Sequence, residues 1–289
     1  MRTAWKIAFA KAASAGIVGI RRLFGADHRV IVTRGGFRWS LDLSEGFDLS
    51  VYLLGSVEPR VIRNYPALVR PGSVVIDVGA NIGGHALPFA RLAGSRGTVV
   101  AIEPSDWAFR KMSENISLNA DCGGTVRARQ ALLSSEAAGM APDGTSREVY
   151  ASWPLGSGEE VHPKHFGKKT ATVGAHVDTL DGLVGQEKLP RVDLIKIDVD
   201  GDEWRVLQGS RSTIARWRPL IVMEFAPYLF SESDFRAMVE ALKGWGYRFF
   251  DVETGKVFPE DPAVIRNLIP DGAVRNVLLK PSPKPDFSS

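Results

Sequence analysis

The chain has 289 residues and a single cysteine, Cys122. One thiol forbids an internal disulfide and cannot build a multi-cysteine zinc site, which fits a reducing compartment; a cytoplasmic location is the expectation. Long apolar runs are missing as well. The uninterrupted apolar stretch near the start, Ala12 to Ile20, falls far short of the roughly 20 residues that span a bilayer. Arg21 and Arg22 follow it, which disfavours a cleaved secretory signal. Charge of one sign is scarce: 36 Lys and Arg stand against 33 Asp and Glu, a formal +3 that is too small and scattered to argue for nucleic acid. Histidines are few and irregularly spaced, so His162, His165 and His176 make no metal set, and His85 is expected to cap or line a loop.

What the chain does have is 44% hydrophobic and 24% charged residues, enough to bury a sizeable core. Residues 1–72 read as an N-terminal extension. Its first 25 residues predict a helix; at 100° per residue the lysines and arginines scatter widely. A membrane anchor is therefore weakly supported, and a covering or dimer-forming helix is preferred. Then come a hairpin around Gly35 and Gly36 and two short helices, Phe47 to Leu54 and Glu58 to Val69. Residues 73–281 alternate in the manner of an α/β fold with a parallel sheet. The expected elements are strand Val74 to Val78, helix Ile82 to Leu92, strand Thr98 to Ile102, helix Asp106 to Asn119 and strand Val126 to Ala128. A Gly- and Pro-rich insertion near 134–172 predicts strands and loops over one sheet edge. Helix Asp178 to Val184, strand Val192 to Ile197, helix Asp202 to Ala215, strand Leu220 to Phe225, helix Glu232 to Lys243 and two last strands complete the series. The tail 282–289 reads as disordered.

The stretch "VVIDVGANIGGH" ends a buried strand on an acid and opens into small residues: Asp77, Gly79, Ala80, Asn81, Gly83 and Gly84. A strand end leading into a helix suits a nucleotide-like ligand at the carboxyl edge of the sheet. Asp77 would repel phosphate, so a ligand bearing an amino or sulfonium group fits better than a pyrophosphate. Glu103 closes the next strand, 26 residues on. An acid there can accept both hydroxyls of a ribose, and the two acids on successive strands favour a nucleoside. Either acid alone could be a helix cap or a solvated strand end.

"VVIDVGANIGGH", "VVAIEPS", "RQALLS" and "VDLIKIDVDGDEWRVLQG" together resemble the FkbM family of S-adenosylmethionine-dependent methyltransferases, within the Rossmann-like class I group. The resemblance runs from about Glu58 to Glu224. It implies a seven-stranded, mostly parallel sheet whose last strand is antiparallel, with S-adenosylmethionine (S-adenosylhomocysteine as product) across the carboxyl ends of the first half. By position, Asp77, Gly79, Ala80, Asn81 and Gly83 would surround the methionine portion, and Glu103 would hold the ribose with Pro104 and Ser105 beside it. Gln130 and Ala131 stand where the class meets adenine, or they simply end a strand. Asn81 replaces the middle glycine of the general class I loop; it tolerates a left-handed backbone, and its amide can reach the ligand. Glu58 could fold over the methionine amino group, or serve as a helix N-terminal acid before Pro59.

"LIKIDVDGDEW" puts Lys196, Asp198 and Asp200 at alternate positions near a strand end. Asp200 and Glu203 have the spacing of a capping box. Asp198 falls where the fourth strand would meet the cofactor's methyl, and Glu224 would emerge beside it if strands four and five are neighbours. The pair Asp198 and Glu224 could bind a divalent cation, or one of them could act as a general base. Lys196 could pair with these acids or stay structural. The expected activity is O-methylation of a small-molecule or glycan acceptor: a free hydroxyl of a sugar, glycolipid, polyketide or related secondary metabolite. Trp107, Trp153, Trp204 and Tyr150 are candidate walls for the acceptor. A nicotinamide-dependent oxidoreductase is disfavoured by Asp77 and by the absence of G-x-G-x-x-G. A non-catalytic scaffold is disfavoured by acids at the methyl end.

Overall fold

Short runs of aliphatic and β-branched residues form the strands, and each run stops where glycine or an acid begins. The computed structural model describes residues 3–138, 148–156, 160–163 and 166–283. Helix α1 (Thr3–Leu23) precedes a hairpin of β1 (Arg29–Arg34) and β2 (Phe37–Asp42), then α2 (Gly46–Leu54) and α3 (Pro59–Ile62). The expected helix from Glu58 to Val69 is cut short. Pro66 allows only a 3-10 turn at Tyr65–Ala67, because proline brings no donor for a continuing helix.

The sheet is built from β3 (Val74–Val78), β4 (Thr98–Ile102), β5 (Thr125–Arg129), and later strands described below, with α4 (Ala86–Ala93) and α5 (Asp106–Ser117) between the first three. The insertion supplies β6 (Ala131–Leu133), β7 (Glu148–Ser152), β8 (Lys168–Ala171) and β9 (His176–Asp178), paired as β6 with β9 and β7 with β8 outside the main sheet. Then follow α6 (Leu180–Gln186), β10 (Leu194–Ile197), α7 (Glu203–Gln208), α8 (Arg211–Trp217), β11 (Leu220–Phe225), α9 (Glu232–Gly244), β12 (Tyr247–Asp251), α10 (Pro262–Leu268) and β13 (Arg275–Pro281). The expected helix from Asp202 to Ala215 is two helices. The chain breaks at Gly209 and Ser210, whose hydroxyl donates to the Leu207 carbonyl at 2.9 Å and competes with the helical ladder.

Strand order is β12-β13-β11-β10-β3-β4-β5, and β13 runs antiparallel to both its neighbours. This is the seven-stranded sheet with an antiparallel last strand that the resemblance implies. The strand order reverses between β3 and β10, which leaves a crevice at their carboxyl ends. One face carries Val74, Ile76 and Val78 with Ile195, Ile197, Met223 and Phe225 under α6 to α9. The other carries Val75, Leu194 and Val222 with Tyr65 and Phe89. By the two-residue period, Asp77, Lys196 and Glu224 belong to this second face.

The hairpin belongs to a third cluster of Phe37, Trp39, Leu41, Leu43, Val51, Ile82 and Leu87. It is tied to α5 by two asparagines. Asn115 Oδ1 accepts from the Ser40 amide at 2.8 Å; Asn119 accepts from the Arg38 amide at 2.9 Å and donates to its carbonyl at 2.7 Å. These amides serve the edge of β2 as a neighbouring strand would. Replacing Asn119 with Ala leaves two backbone groups at Arg38 unmet. Stability is expected to fall by about 1–3 kcal/mol in a urea titration, with no change in m.

The six C-terminal residues 284–289, where a disordered tail is expected, lie outside the described residues.

Candidate active site

The loop after β3 turns on left-handed backbone at Gly79 (φ 80°), Asn81 (φ 47°) and Gly83 (φ 87°). Asn81 thus takes the conformation its position requires. The small residues answer packing within the fold. A Cβ at Gly79 would lie 1.8 Å from the Asp198 carbonyl oxygen, and one at Gly84 would lie 2.6 Å from Val57. Nor is the loop a cradle of open amides. Gly79 and Ala80 both donate to the Ile102 carbonyl, at 3.0 and 2.9 Å, and Asn81 donates to Glu103 Oε2 at 2.9 Å. Helix α4 begins at Ala86, four residues later than Ile82, because the chain spends residues 81–85 in turns.

Glu103 is 3% exposed, and its Oε1 accepts from the Ser105 amide at 2.9 Å and the Ser105 hydroxyl at 2.7 Å. Burial pushes its carboxyl above the ordinary value against these bonds. Ser105 also caps α5 by accepting from the Ala108 amide, so it orients Glu103 from beneath. The crevice here is lined by Gly79, Ala80, Asn81, Glu103, Pro104, Ala131, Asp198 and Asp200. Phe47, Val57, Val149, Tyr150 and Trp153 form its apolar walls. Of the four aromatics named as candidate acceptor walls, Tyr150 and Trp153 line this crevice. Trp107 faces a neighbouring groove, and Trp204 packs on the main core. Gln130 does not line the crevice: its amide donates to the Val173 carbonyl at 2.7 Å, tying down the loop before β9. Phe47, Val57 and Val149 were not foreseen; only the hydrophobicity of isolated residues marked them.

Below the crevice lies a layer of charge. Lys196, 1% exposed, sits opposite Asp77 in the β3–β10 register, and its Nζ donates to Asp198 Oδ2 at 2.8 Å. Asp198, Asp77 and Glu58 raise its pKa above the usual lysine value although burial opposes them. Asp77 is wholly buried, and among the described residues neither of its oxygens has a hydrogen-bond partner. Burial pushes its carboxyl up, while Lys196 and His85 pull it down. Asn81 Oδ1 is a second buried acceptor without a donor; its Nδ2 is spent on the Ala151 carbonyl at 2.9 Å.

Glu58 occupies the N-cap position of α3, with Pro59 following as expected, but its side chain makes no cap bond. It turns to the site. Oε2 lies 3.3 Å from His85 Nε2 and Oε1 accepts from Asn276 Nδ2 at 3.0 Å. Burial works against its charge, yet His85, Lys196 and Asn276 outweigh it and hold the carboxyl below its ordinary value. His85 Nδ1 lies 2.7 Å from the Tyr65 hydroxyl. The expectation that His85 merely caps or lines the loop therefore understates it.

Strands β10 and β11 are neighbours, so Glu224 and Asp198 share one strand end, and Asp198 is the strongest like-charge neighbour of Glu224. Burial first, then Asp198 and Asp200, push the Glu224 carboxyl well up, and Asp200 is raised in the same way by burial and Asp198. The capping box is not formed. Asp200 (φ 51°) and Gly201 (φ 107°) delay the helix, and Asp202 stands at its N-cap. Glu203 instead accepts from the amides of Val199 (3.1 Å) and Gly201 (3.1 Å). Among the described residues, the group whose ligand atoms come within 4.8 Å of one another is Glu58, His85 and Asp198; Glu224 is not part of it. His162 stacks edge-on with Tyr150, His176 is on β9, and His165 lies outside the described residues.

A strand order with its reversal at β3 and β10, an acid closing each of the first two strands and a crevice over them define a class I, Rossmann-like methyltransferase. Residues 77–249 match the Methyltransferase FkbM domain, well over half of the chain, and the protein belongs to that family of S-adenosylmethionine-dependent methyltransferases. It is 27% identical over 234 residues to methyltransferase sdnD of Sordaria araneosa, covering 70% of this chain and 86% of that one. It is 29% identical over 199 residues to 31-O-demethyl-FK506 methyltransferase FkbM of Streptomyces tacrolimicus, covering 62% and 74%. A solved methyltransferase FkbM from Methylobacillus flagellatus superposes with a TM-score of 0.45 at 12% identity, over 82% of this chain and 56% of that one.

Glu45 joins two walls of the crevice. Its carboxylate accepts from the Ser152 hydroxyl and the Trp153 amide, each at 3.0 Å, and Trp153 packs edge-on against Phe47 at 4.6 Å. Burial pushes Glu45 up to about 7 from an ordinary 4.5. A carboxyl raised on folding stabilises fully below its unfolded value and loses that contribution as pH rises through the folded one. Melting temperature is therefore expected to fall between pH 4.5 and about 7. In Glu45→Gln, which keeps an acceptor for Ser152 and Trp153, thermal scans should show a smaller fall.

Proposed function

We infer that this methyltransferase moves the methyl group of S-adenosylmethionine to a hydroxyl oxygen of a small molecule or glycan: a sugar, glycolipid, polyketide or related secondary metabolite. The observation that carries the cofactor's orientation is Asp77, a fully buried carboxylate with no donor to either oxygen among the described residues; Asn81 Oδ1, four residues on, is equally unmet. Unmet buried acceptors cost about 1–3 kcal/mol each. The ammonium group of a methionine moiety supplies the missing donors and a compensating charge. Glu103, fixed by Ser105 and Asn81, retains lone pairs for two ribose hydroxyls. Bound there, the cofactor supplies an electrophilic methyl on a positively charged sulfur.

The remaining work falls to this chain's own residues. Asp198 lines the crevice with its Oδ2 held by Lys196, leaving Oδ1 to accept the proton of the acceptor hydroxyl. Burial and the neighbouring Asp198 push the Glu224 and Asp200 carboxyls up, whereas Asp198 lines the crevice and is paired with Lys196, so Asp198 is the carboxylate suited to the base's role. Trp153, Tyr150 and Phe47, from the insertion and the N-terminal segment, offer flat apolar faces to the acceptor. The name of the Streptomyces relative, a 31-O-demethyl-FK506 methyltransferase, supports oxygen as the atom methylated. A divalent cation among Glu58, His85 and Asp198 would compete with the Lys196 ammonium 2.8 Å from Asp198. Direct proton transfer is the better reading.

S-adenosylhomocysteine is expected to raise the melting temperature and NAD to leave it unchanged; no shift with S-adenosylhomocysteine overturns the proposal. In a labelled-methyl screen over sugar and polyketide alcohols, Asp198→Ala should lose about 10²- to 10⁴-fold in rate while still binding S-adenosylhomocysteine. Chelation should leave activity intact. Loss of activity on chelation, restored by a divalent cation, would replace the base with a metal.

A further inference from the structure

Strand β7 belongs to the insertion, and one side chain ties it to the cofactor loop. In its antiparallel pairing with β8 the register slips between Tyr150 and Ser152, which leaves Ala151 as an extra residue outside the ladder. A bulge of this kind bends its strand and re-aims the side chains around it. Ala151 is 2% exposed, and its carbonyl accepts from Asn81 Nδ2 at 2.9 Å. Tyr150 just before it and Trp153 two residues after it are walls of the crevice. Beyond the bulge, Glu45 accepts from the Ser152 hydroxyl and the Trp153 amide, so the cofactor loop and the N-terminal segment hold the bulge from two directions. A carbonyl oxygen only accepts, which fixes how the Asn81 amide lies: nitrogen toward Ala151, oxygen away from it. That oxygen is buried, and among the described residues nothing donates to it. One amide thus has a satisfied end on the acceptor wall and an unmet end on a residue of the cofactor loop. An unmet buried acceptor is costly, and turning the amide toward water would give up the Ala151 contact.

We propose that Asn81 is a positioning residue that couples the two halves of the crevice. With a donor from the bound cofactor at Oδ1, the amide is locked; its Nδ2 then holds the β7 bulge, and with it Tyr150 and Trp153. Cofactor occupancy sets the acceptor wall, so S-adenosylmethionine precedes the acceptor. The coupling rests on S-adenosylmethionine occupying the crevice as proposed. It is also reciprocal: whatever factor the cofactor adds to the hold on β7, that hold adds to cofactor affinity. Asn81 can be replaced without backbone strain, since at φ 47° glycine is at ease and aspartate is tolerated.

The test is hydrogen exchange over residues 148–153 of the full chain, read by mass spectrometry with and without saturating S-adenosylhomocysteine. In the native protein the ligand should slow exchange there by about two- to tenfold, the worth of one hydrogen bond. Asn81→Asp keeps an acceptor for the cofactor and loses the donor to Ala151; it should still bind S-adenosylhomocysteine in calorimetry and show no slowing. Asn81→Gly loses both ends, and should show no slowing together with an affinity about two- to tenfold weaker. Slowing that survives in either variant overturns the proposal, because protection would then come from direct contact of the ligand with Val149 and Tyr150. So does a native protein that binds S-adenosylhomocysteine without slowing at 148–153. Loss of binding in both variants overturns it as well, since Asn81 would then serve the cofactor alone. A native protein that binds no S-adenosylhomocysteine sinks the cofactor reading itself, and the coupling with it.

Discussion

Lys196 is the charge around which the site is assembled. An isolated ammonium at 1% exposure could not persist in a folded protein; it is kept by Asp198 at 2.8 Å and by the fields of Asp77 and Glu58. Those three acids come from two strand ends and a helix start that lie far apart in the chain. The lysine therefore joins β3, β10 and α3 into one polar layer. Remove it, and Asp77 and Asp198 would lose the cation they share. The same residue already engages one of the two Asp198 oxygens.

The sheet was plainly written in the sequence. Runs such as Val74–Val78 and Leu220–Phe225 are too short and too continuous in aliphatic residues to be anything but buried strands, and their order follows the α/β alternation. Helix ends were less legible because they depend on particular backbone angles. The loop at Asn81 and the turn at Asp200–Gly201 each postpone a helix by several residues, and the Ser210 hydroxyl divides another. Periodicity carries no trace of such choices.

Within the site, Asp77, Asn81, Glu103 and Asp198 could be placed because they sit at strand ends, whose position the sheet dictates. Glu58 could be suspected but not resolved, since its helix-start role and its site role leave the same residue in the sequence. His85 and Tyr65 could not be foreseen as partners. Their 2.7 Å contact joins a loop to a 3-10 turn, and no spacing rule links the two. The glycines carried a misleading message. Gly79 looks like room for a ligand, but the space is taken by the Asp198 carbonyl, so the residue records how closely β10 approaches β3.

Helix α5 has work at both ends. Its first turn is capped by Ser105, which also holds Glu103, while Asn115 and Asn119 in and just beyond its last turn grip the backbone of β2. A helix advances about 1.5 Å and turns about 100° with each residue. One residue gained or lost between Ser105 and Asn115 would swing both asparagines off the strand while leaving Glu103 in place. This helix behaves as a gauge whose residue count is fixed by what it must touch at each end.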